Sequence, residues 1–245
     1  MQLTIIGAGL AGCEAALWLA DRGVSVTLYE QKPVRFSPAH KSAGFAELVC
    51  SNSLKAERPD SASGLLKLEM KEMGSHLLPC AEDTRVAAGG ALAVDRDRFS
   101  AAVTALVKNH PNITVVEGEV TSIDEAAPIL VASGPLTDGA LADAIAALAG
   151  GQQLSFYDAV APIVTAESLD YDKVFAASRY GRGEADYLNC PFNKAEYEAF
   201  HEALVTAERA PRHEADAGLT VYEGCMPIEV MHTIFKEEKP CQSIH

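Results

Sequence analysis

A short glycine-rich turn between two patterned segments constrains the fold of this chain more than any other feature. Residues 2–6, QLTII, form a run without polar alternation, as in a buried strand of a parallel sheet. The turn GAGLAG (7–12) leads into apolar residues at helical spacing that end at Gly23, and residues 24–30, VSVTLYE, read as a second strand. Strand, helix and strand within about thirty residues predict a βαβ unit, and with it an α/β fold built on a parallel sheet.

The glycines of this turn have the G-x-G-x-x-G spacing of a dinucleotide-binding loop. The first glycine permits the tight turn, the second lets the backbone approach a pyrophosphate, and the third allows the helix to pack closely on the strand. An acid at the end of the second strand stands where ribose hydroxyls are held. A glycine-rich turn without a ligand is the alternative interpretation. The predicted cofactor-binding residues of this unit are Gly7, Ala8, Gly9, Leu10, Ala11, Gly12 and Glu30.

The glycine spacing alone does not decide between NAD and FAD. Residues 127–137, APILVASGPLT, resemble the hydrophobic strand and Ala-x-Gly element found late in FAD-binding domains, which favours FAD and adds Gly134 to the predicted site. We therefore predict a Rossmann-like FAD-binding domain, with helices on both faces of a parallel sheet, and an inserted α+β segment.

Composition excludes several classes of protein. No apolar run approaches the roughly 18 residues that a membrane span needs, and the first residues lack the basic region of a signal peptide. We therefore expect a cytoplasmic protein without a membrane partner. The six cysteines are scattered and no histidine stands at a zinc-ligand spacing, so we expect neither disulfides nor a metal. The net charge of −14 argues against non-specific nucleic-acid binding by the whole chain.

One segment departs from this acidic balance, since residues 31–71 carry seven basic and four acidic side chains. Such a segment is either a solvated surface or a face that binds a polyanion. The candidate phosphate contacts are Lys41, Lys55 and Arg58. His40 is interpreted as a surface or phosphate-contact residue rather than an acid–base catalyst.

Local patterns predict further helices and part of the core. Residues 63–78 read as one helix, and Asp95 and Asn193 are predicted N-caps of two others. Trp18, on the apolar face of the first helix, is predicted to lie in the core. Three cysteines are interpreted as small buried apolar residues: Cys13, Cys80 and Cys190.

Five stretches carry a family pattern: AELVCSNSLK (46–55), GLLKLEM (64–70), AGGALAVDRDRFS (88–100), YDAVAPIV (157–164) with SRYGRGEADYLNCPFNKAEYEAF (178–200), and YEGCMPIEVM (222–231). Together they resemble the TrmFO family of folate- and FAD-dependent tRNA uracil-5-methyltransferases. The resemblance runs from Met1 to Met231, and VCSNSLK and EGCMPIEVM are its most specific motifs.

The resemblance implies a reaction and its participants. The methylene group of methylenetetrahydrofolate passes to reduced FAD and then to carbon 5 of the T-loop uridine of tRNA, and NAD(P)H reduces the flavin. The partners are folate and the T-arm of tRNA. The two family cysteines tied to activity match Cys50 and Cys225, and the FAD-contacting glycine loop matches residues 7–12. Gly89 and Gly90 join the predicted FAD site.

Members of this family are much longer than the present chain, which we interpret as truncated after Met231, so that its own activity is in question. The expected domains are 1–151 for FAD, 152–231 for an incomplete inserted folate and tRNA side, and 232–245 for a tail outside the family pattern. Two alternatives stay open. One is a related FAD-dependent protein that modifies the tRNA wobble uridine, which should lack the cysteine of EGCMPIEVM. The other is an inactive FAD- or RNA-binding fragment.

The cysteine of GCMPIEVM has a chemical rationale. Carbon 5 of uracil is a poor nucleophile until a thiolate adds to carbon 6. Pro227, as a first helical residue, would place Cys225 before a helix N-terminus, where the dipole favours the thiolate. Either Glu223 or Glu229 could remove the carbon 5 proton. We interpret Cys225 as the nucleophile and Cys50 as a residue that protects or positions the adduct, although the sequence does not rank the two thiols.

Overall fold

The computed structural model describes residues 2–37, 39–49, 51–124, 126–150, 164–178, 181 and 184–208. The four predicted catalytic residues lie outside the described residues: Cys50, Glu223, Cys225 and Glu229. The chain divides into two compact units, one formed by Met1–Leu154 and Ser178–Tyr187 and the other by Ser155–Ala177 and Leu188–His245. The domain boundaries expected from the sequence stay predictions.

Strands and helices alternate along much of the first unit, as a parallel-sheet fold requires. Within the described residues, no helix is long and apolar enough to cross a membrane. In chain order the elements are β1 (Gln2–Ile6), α1 (Leu10–Ala20), β2 (Ser25–Glu30), β3 (Ser53–Ala56), α2 (Ala62–Glu72), α3 (Leu77–Asp83), β4 (Arg85–Val86), β5 (Ala91–Val94), α4 (Arg96–Asn109), β6 (Ile113–Glu117), β7 (Ile129–Val131), α5 (Gly139–Leu148), a 3-10 turn (Ala166–Ser168), β8 (Phe175–Ala177), β9 (Tyr187–Asn189) and α6 (Lys194–Thr206).

Four strands form a parallel sheet in the order β6-β2-β1-β7. Ile5 of β1 stands opposite Leu28 of β2 on one side and Leu130 of β7 on the other. The prediction of an α/β fold with a parallel sheet flanked by helices is therefore confirmed. The chain runs from β1 through β2 to β6 and then returns to the opposite side of β1 for β7. Such a reversal leaves a crevice outside the carboxyl ends of the strands.

The core of the first unit lies where this sheet meets its helices. Ile5 and Leu28 of the sheet, Leu17 of α1, and Phe99 and Val103 of α4 are buried in one apolar cluster. Burying a side chain of this size stabilises the fold by roughly 1.5–3 kcal/mol. The cluster fixes β1 and β2 against α1, and so fixes the turn that joins β1 to α1.

The helix predicted over residues 63–78 is two helices, so that prediction is wrong. Gly74, between α2 and α3, has φ +80°, a left-handed conformation that glycine adopts readily. Apolar spacing continues through the break, which is why the pattern read as one helix. Between β2 and β6 these helices accompany an antiparallel sheet in the order β3-β5-β4.

Both predicted helix caps are confirmed. The Asp95 carboxylate accepts a hydrogen bond from the Arg98 N–H at 3.0 Å at the start of α4. In the second unit the Asn193 side chain accepts from the Glu196 N–H at 3.0 Å, and the Glu196 carboxylate accepts from the Asn193 N–H at 2.8 Å. This reciprocal pair is a capping box.

Candidate functional site

A cleft opens at the carboxyl ends of the parallel strands, beside the reversal of strand order at β1. It is lined by residues at the carboxyl ends of β1 (6–9) and β2 (29–32), by parts of the loop that follows β2 (35–47), by residues 118–120 after β6, and by residues between 133 and 141 after β7. We call it the carboxyl-edge cleft. The parallel sheet thus brings four segments that are distant in the sequence to one site.

The three motif glycines serve different purposes at this cleft. Gly7 has φ +102°, and a side chain there would lie 2.6 Å from the carbonyl oxygen of Ala132. A side chain on Gly12 would collide with the carbonyl oxygen of Gly7, so Gly12 allows α1 to pack on the turn. Among the described residues, no atom lies within 4 Å of a Cβ built on Gly9. The first and third glycines therefore serve the packing of the chain, and the second leaves space for a ligand.

Helix α1 begins at the carboxyl-edge cleft, because its N-cap residue, Gly9, lines the cleft. Gly9 has no side chain with which to cap the first amides of the helix. Those amides keep their hydrogen-bonding capacity, and the helix N-terminus carries a partial charge of about +0.5. This end of α1 can therefore hold an anionic group such as a phosphate.

The carboxylate of Glu30 is buried at the end of β2 and is held by two main-chain donors. The Ala8 N–H donates to Oε2 at 2.8 Å, and the Lys32 N–H donates to Oε1 at 3.0 Å. Each carboxylate oxygen has a second lone pair that can accept a further hydrogen bond. Glu30 therefore ties the glycine turn to β2 and also offers an acceptor to a ligand hydroxyl.

Lys32, which is buried, and Glu47, which is partly buried, form an ion pair in the cleft that the sequence did not indicate. Lys32 Nζ lies 3.3 Å from Glu47 Oε2 and donates to the Gly44 carbonyl oxygen at 2.6 Å. The N–H groups of Lys41 and Ser42 donate to Glu47 Oε1 at 2.9 and 3.0 Å. Burial alone would raise the pKa of Glu47, but these two N–H groups and the Lys32 ammonium lower it below its ordinary value. The pair holds the loop after β2 against the cleft.

His40 also lines the cleft and is half-buried. Its Nδ1 lies 2.5 Å from Ser37 Oγ. Burial lowers the pKa of His40, and the Lys32 ammonium lowers it further. The imidazole is therefore neutral near pH 7, where it can exchange a hydrogen bond with a ligand without adding positive charge.

Arg35 bridges two acids that line the same cleft. Its Nη1 lies 2.6 Å from Glu119 Oε1 and its Nη2 lies 2.9 Å from Asp138 Oδ2. The three side chains are at least one third exposed, so each pair contributes at most about 1 kcal/mol. The partners are 84 and 103 residues away in the sequence, which is why no local pattern signalled this bridge.

The remaining predicted cofactor residues lie outside the lining of this cleft. Gly134 follows β7, next to lining residues, and has φ +83°. Gly89 and Gly90 lie in the turn between β4 and β5. Leu10 and Ala11 line a different depression, between α1 and α2. The structure thus gathers four of the predicted residues at the cleft: Gly7, Ala8, Gly9 and Glu30.

The three candidate phosphate contacts are exposed and come from different parts of the first unit. Lys41 lies in the loop after β2, and Lys55 lies in β3 with φ +70°. Arg58 precedes α2 and pairs with Asp60, with 3.1 Å between Nε and Oδ1. Lys32, by contrast, is only 4% exposed and cannot reach a phosphate at the surface.

Three cysteines belong to the described residues. Cys13 donates its S–H to the Ala8 carbonyl oxygen at 3.3 Å, and burial raises its pKa to about 12. Burial also raises the pKa of Cys80. These two are buried apolar residues, as predicted, whereas the same prediction for Cys190 is wrong because this thiol is exposed. In the part of the chain that the structure describes, no group of three His, Cys, Asp or Glu residues could hold a metal ion.

The sequence of this chain matches a known family over nearly its whole length. Residues 2–244 match the family described as glucose inhibited division protein A. The chain belongs to this family. Among solved structures, the GidA-related protein from Thermus thermophilus aligns with 55% of this chain and 53% of its own, at 19% identity and a TM-score of 0.32.

Two curated relatives of the present chain carry the same name as each other. The chain is 56% identical over 230 residues to the methylenetetrahydrofolate–tRNA-(uracil-5-)-methyltransferase TrmFO of Moorella thermoacetica, an alignment that covers 94% of this chain and 52% of that protein. It is 54% identical over 235 residues to the protein of the same name from Pelotomaculum thermopropionicum, covering 96% and 54%. The chain therefore spans about half the length of the curated relatives that it matches.

Proposed function

We propose that this chain takes part in the FAD-dependent transfer of a one-carbon unit from methylenetetrahydrofolate to carbon 5 of a uridine in tRNA. The observation that carries the proposal is the 56% identity, over 94% of the chain, to a protein named for that methyl transfer. Because the match covers 52% of that relative, the proposal assigns the complete reaction to this chain acting with the part of the relatives that it does not match.

The carboxyl-edge cleft fits FAD on the evidence of its own residues. The open space at Gly9 and the uncapped amides of α1 suit the pyrophosphate, and the Glu30 carboxylate suits the ribose hydroxyls. When bound, FAD would supply the one-carbon carrier and the electrons that turn a methylene into a methyl group, with NAD(P)H as their source. The residues of this chain bind the cofactor and orient it.

The proposal gives the covalent step to Cys225. Its thiolate forms a bond to carbon 6 of the uracil, and the electrons of the C5–C6 double bond move onto O4, so that carbon 5 becomes nucleophilic. After carbon 5 has bonded to the one-carbon unit, Glu223 or Glu229 removes the carbon 5 proton and the bond between that unit and its carrier breaks, which leaves a methylene on carbon 5. A hydride equivalent, whose electrons come from NAD(P)H, reduces this methylene to a methyl group, the C5–C6 double bond re-forms and the thiolate leaves. Cys50 protects or positions the adduct. The support for these roles is the resemblance of the two cysteine motifs, since all four residues lie outside the described residues.

The proposed substrate is the T-loop uridine of tRNA, held through its T-arm, and the proposed location of the protein is the cytoplasm. The exposed Lys41, Lys55 and Arg58 support this part of the proposal, because cationic side chains on an otherwise acidic protein can contact tRNA phosphates.

A covalent trap tests the proposed function. The chain is joined to the unmatched part of the Moorella thermoacetica relative and incubated with methylenetetrahydrofolate, NADPH and tRNA carrying 5-fluorouridine at the T-loop position. Fluorine cannot leave as a proton, so we expect a stable protein–tRNA adduct at Cys225, and Cys225→Ala should bind flavin and tRNA without forming it. Attachment at Cys50 would reassign the nucleophile. Absence of ribothymidine in unmodified tRNA treated with the joined chain would overturn the proposed function.

A further inference from the structure

A second depression lies in the first unit, on the outer side of α1. It has a volume of about 810 Å³ and is lined mostly by apolar side chains. Leu10 and Trp18 line it from α1, and Leu66, Met70 and Met73 line it from α2 and its C-terminal end. We call it the α1–α2 groove. The prediction that Trp18 lies in the core is wrong, because this half-buried side chain belongs to the groove.

Helix α2 exposes the apolar stripe that a helix of a folded protein normally buries. Of its residues only Gly64 is buried, while Leu66 is 55% exposed and Met73, at its end, is 67% exposed. The helix is held by other contacts: the Ser61 side chain accepts from the Gly64 N–H, and Lys67 Nζ donates to two main-chain carbonyl oxygens. Helix α2 is thus fixed in position with its apolar residues lining an open groove.

The two helices present their side chains in rows along the groove. On α1 the lining residues are 10, 11, 14, 15, 18 and 19, and on α2 they are 63, 66, 67 and 70, followed by 73 just after the helix, so both sets recur at three- and four-residue intervals. Each helix has 11 residues and so offers a wall of roughly 16 Å. Ridges of this spacing accept the side chains of a further helix.

Four polar residues line the groove, Glu14, Lys55, Ser63 and Lys67, and two of them, Glu14 and Lys67, are bonded within the chain. The Glu14 carboxylate accepts bonds from the Ser75 hydroxyl and from the N–H groups of His76 and Leu77, and Lys67 donates to backbone. In small-molecule sites, by contrast, a few polar groups point toward the bound ligand. The groove therefore suits an apolar protein surface.

We propose that the α1–α2 groove docks an amphipathic helix from the part of the relatives that this chain does not match. The chain spans 52% and 54% of two relatives, so proteins of this kind carry almost as much chain again as the described units. The exposed apolar side chains of α2 and its end are gathered in one depression rather than scattered singly, which is the arrangement of an interaction surface. The inference does not depend on the methyl-transfer chemistry.

Hydrogen exchange tests this proposal. The 245-residue chain is mixed with the unmatched part of the Moorella thermoacetica relative, produced as a separate polypeptide, and exchange is read by mass spectrometry over peptides of α2. We expect exchange in α2 to slow about tenfold or more in the mixture. Leu66→Asp should weaken the affinity about tenfold or more, because it removes a buried leucine from the interface. If the separate polypeptide does not fold, the two parts are joined in one chain and the same peptides are compared with and without Leu66→Asp.

The control is Leu148→Asp, at a residue of α5 that is 51% exposed and lies outside the groove lining. In this variant, exchange in α2 should slow in the mixture as much as it does in the unaltered chain. Equal protection with Leu66→Asp, or no protection of α2 in either arrangement, would overturn the proposal. A chain that dimerises alone in sedimentation and becomes monomeric with Leu66→Asp would also overturn it, because the occupant would then be a second copy.

Discussion

Gly9 leaves a space beside the main chain that the side chain of any other residue would occupy. A Cβ there meets no described atom within 4 Å, so Gly9→Val should leave the fold intact while obstructing a pyrophosphate. We expect the variant to weaken FAD binding about tenfold or more, measured by flavin fluorescence titration. Gly12→Val is the matched control, and it should lose circular dichroism as well as flavin, because its side chain collides with the Gly7 carbonyl. Wild-type FAD affinity in Gly9→Val would contradict the assignment.

Glu47 should stabilise the fold in a pH-dependent way, because its pKa in the folded chain is lowered from an ordinary value of 4.5. Replacing it by Gln leaves the Lys32 ammonium buried without its carboxylate, so we expect Glu47→Gln to lose about 3 kcal/mol of unfolding free energy at pH 7. The lowered pKa means that this contribution is complete above pH 4.5 and disappears as the pH falls through the folded-state pKa. Urea unfolding between about pH 3.5 and 7 should therefore show wild type and variant converging on the acid side.

Glu57 provides the control for this measurement, since its carboxylate pairs with Arg85 at the surface. Glu57→Gln should cost no more than about 1 kcal/mol, because exposed ion pairs contribute little. A pH-independent difference between wild type and Glu47→Gln would exclude the ionised carboxylate as its cause.

Residue-scale features divide into those that local sequence predicts and those that it does not. Gly7 and Gly12 were predicted because the left-handed turn at Gly7 and the contact of Gly12 with the Gly7 carbonyl both lie within six residues of chain, whereas the close approach of Ala132 to Gly7 was not visible in the sequence. Lys32 was counted with the surface cations of its segment, because nothing nearby shows that Glu47 folds back over it. The ion pairs of the cleft therefore became apparent only from the structure.

At the scale of elements, α3 depends on a carboxylate from another helix. Glu14 of α1 accepts hydrogen bonds from the Ser75 hydroxyl at 2.7 Å, the His76 N–H at 2.7 Å and the Leu77 N–H at 3.1 Å. The N-cap residue of α3 forms no side-chain cap, so Glu14 satisfies the free amides and complements the helix dipole. We expect Glu14→Ala to lower the unfolding free energy by about 1–3 kcal/mol and to speed exchange in α3, measured by denaturation and mass spectrometry.

Two further variants make the Glu14 prediction specific. Glu14→Gln should lose less unfolding free energy than Glu14→Ala, because the amide oxygen of Gln still accepts a hydrogen bond. Glu69→Ala, at an exposed acid of α2, should change stability by no more than about 0.5 kcal/mol. Equal losses of unfolding free energy in Glu14→Ala and Glu69→Ala would show that Glu14 does not cap α3.

Elements with a local pattern were predicted well, and elements that depend on partners were not. β1, α1 and β2 follow from apolar spacing and a terminal glycine. The break at Gly74 was missed because apolar residues continue on both sides of it. Trp18 was assigned to the core because α1 is apolar nearly all round, and periodicity does not show which apolar face meets the sheet and which lines a groove.

At the scale of the whole molecule, the sequence predicted the fold class but not the reversal of strand order that makes the cleft. That reversal depends on β7 pairing with β1, more than a hundred residues earlier, and strand patterns do not specify such pairings. The charge distribution, in contrast, is a property of the sequence. Burial in the folded chain then determines which of the cations are able to contact a phosphate. Lys32 is removed from the surface, while Lys41 and Lys55 remain exposed.

Those two lysines should contribute to tRNA binding through counterion release. Each phosphate contact adds about 0.7–0.9 to the slope of log affinity against log salt concentration, so Lys41→Ala with Lys55→Ala should flatten that slope by roughly 1.5. The measurement is filter binding of tRNA by the joined chain, with flavin content unchanged in the variant. Lys108→Ala is the control: this lysine of α4 pairs with Glu117 and lies outside both the basic segment and residues 152–231, so its loss should leave the slope as it is. An unchanged slope in the double variant would place the tRNA phosphates elsewhere and leave the basic segment as a solvated surface.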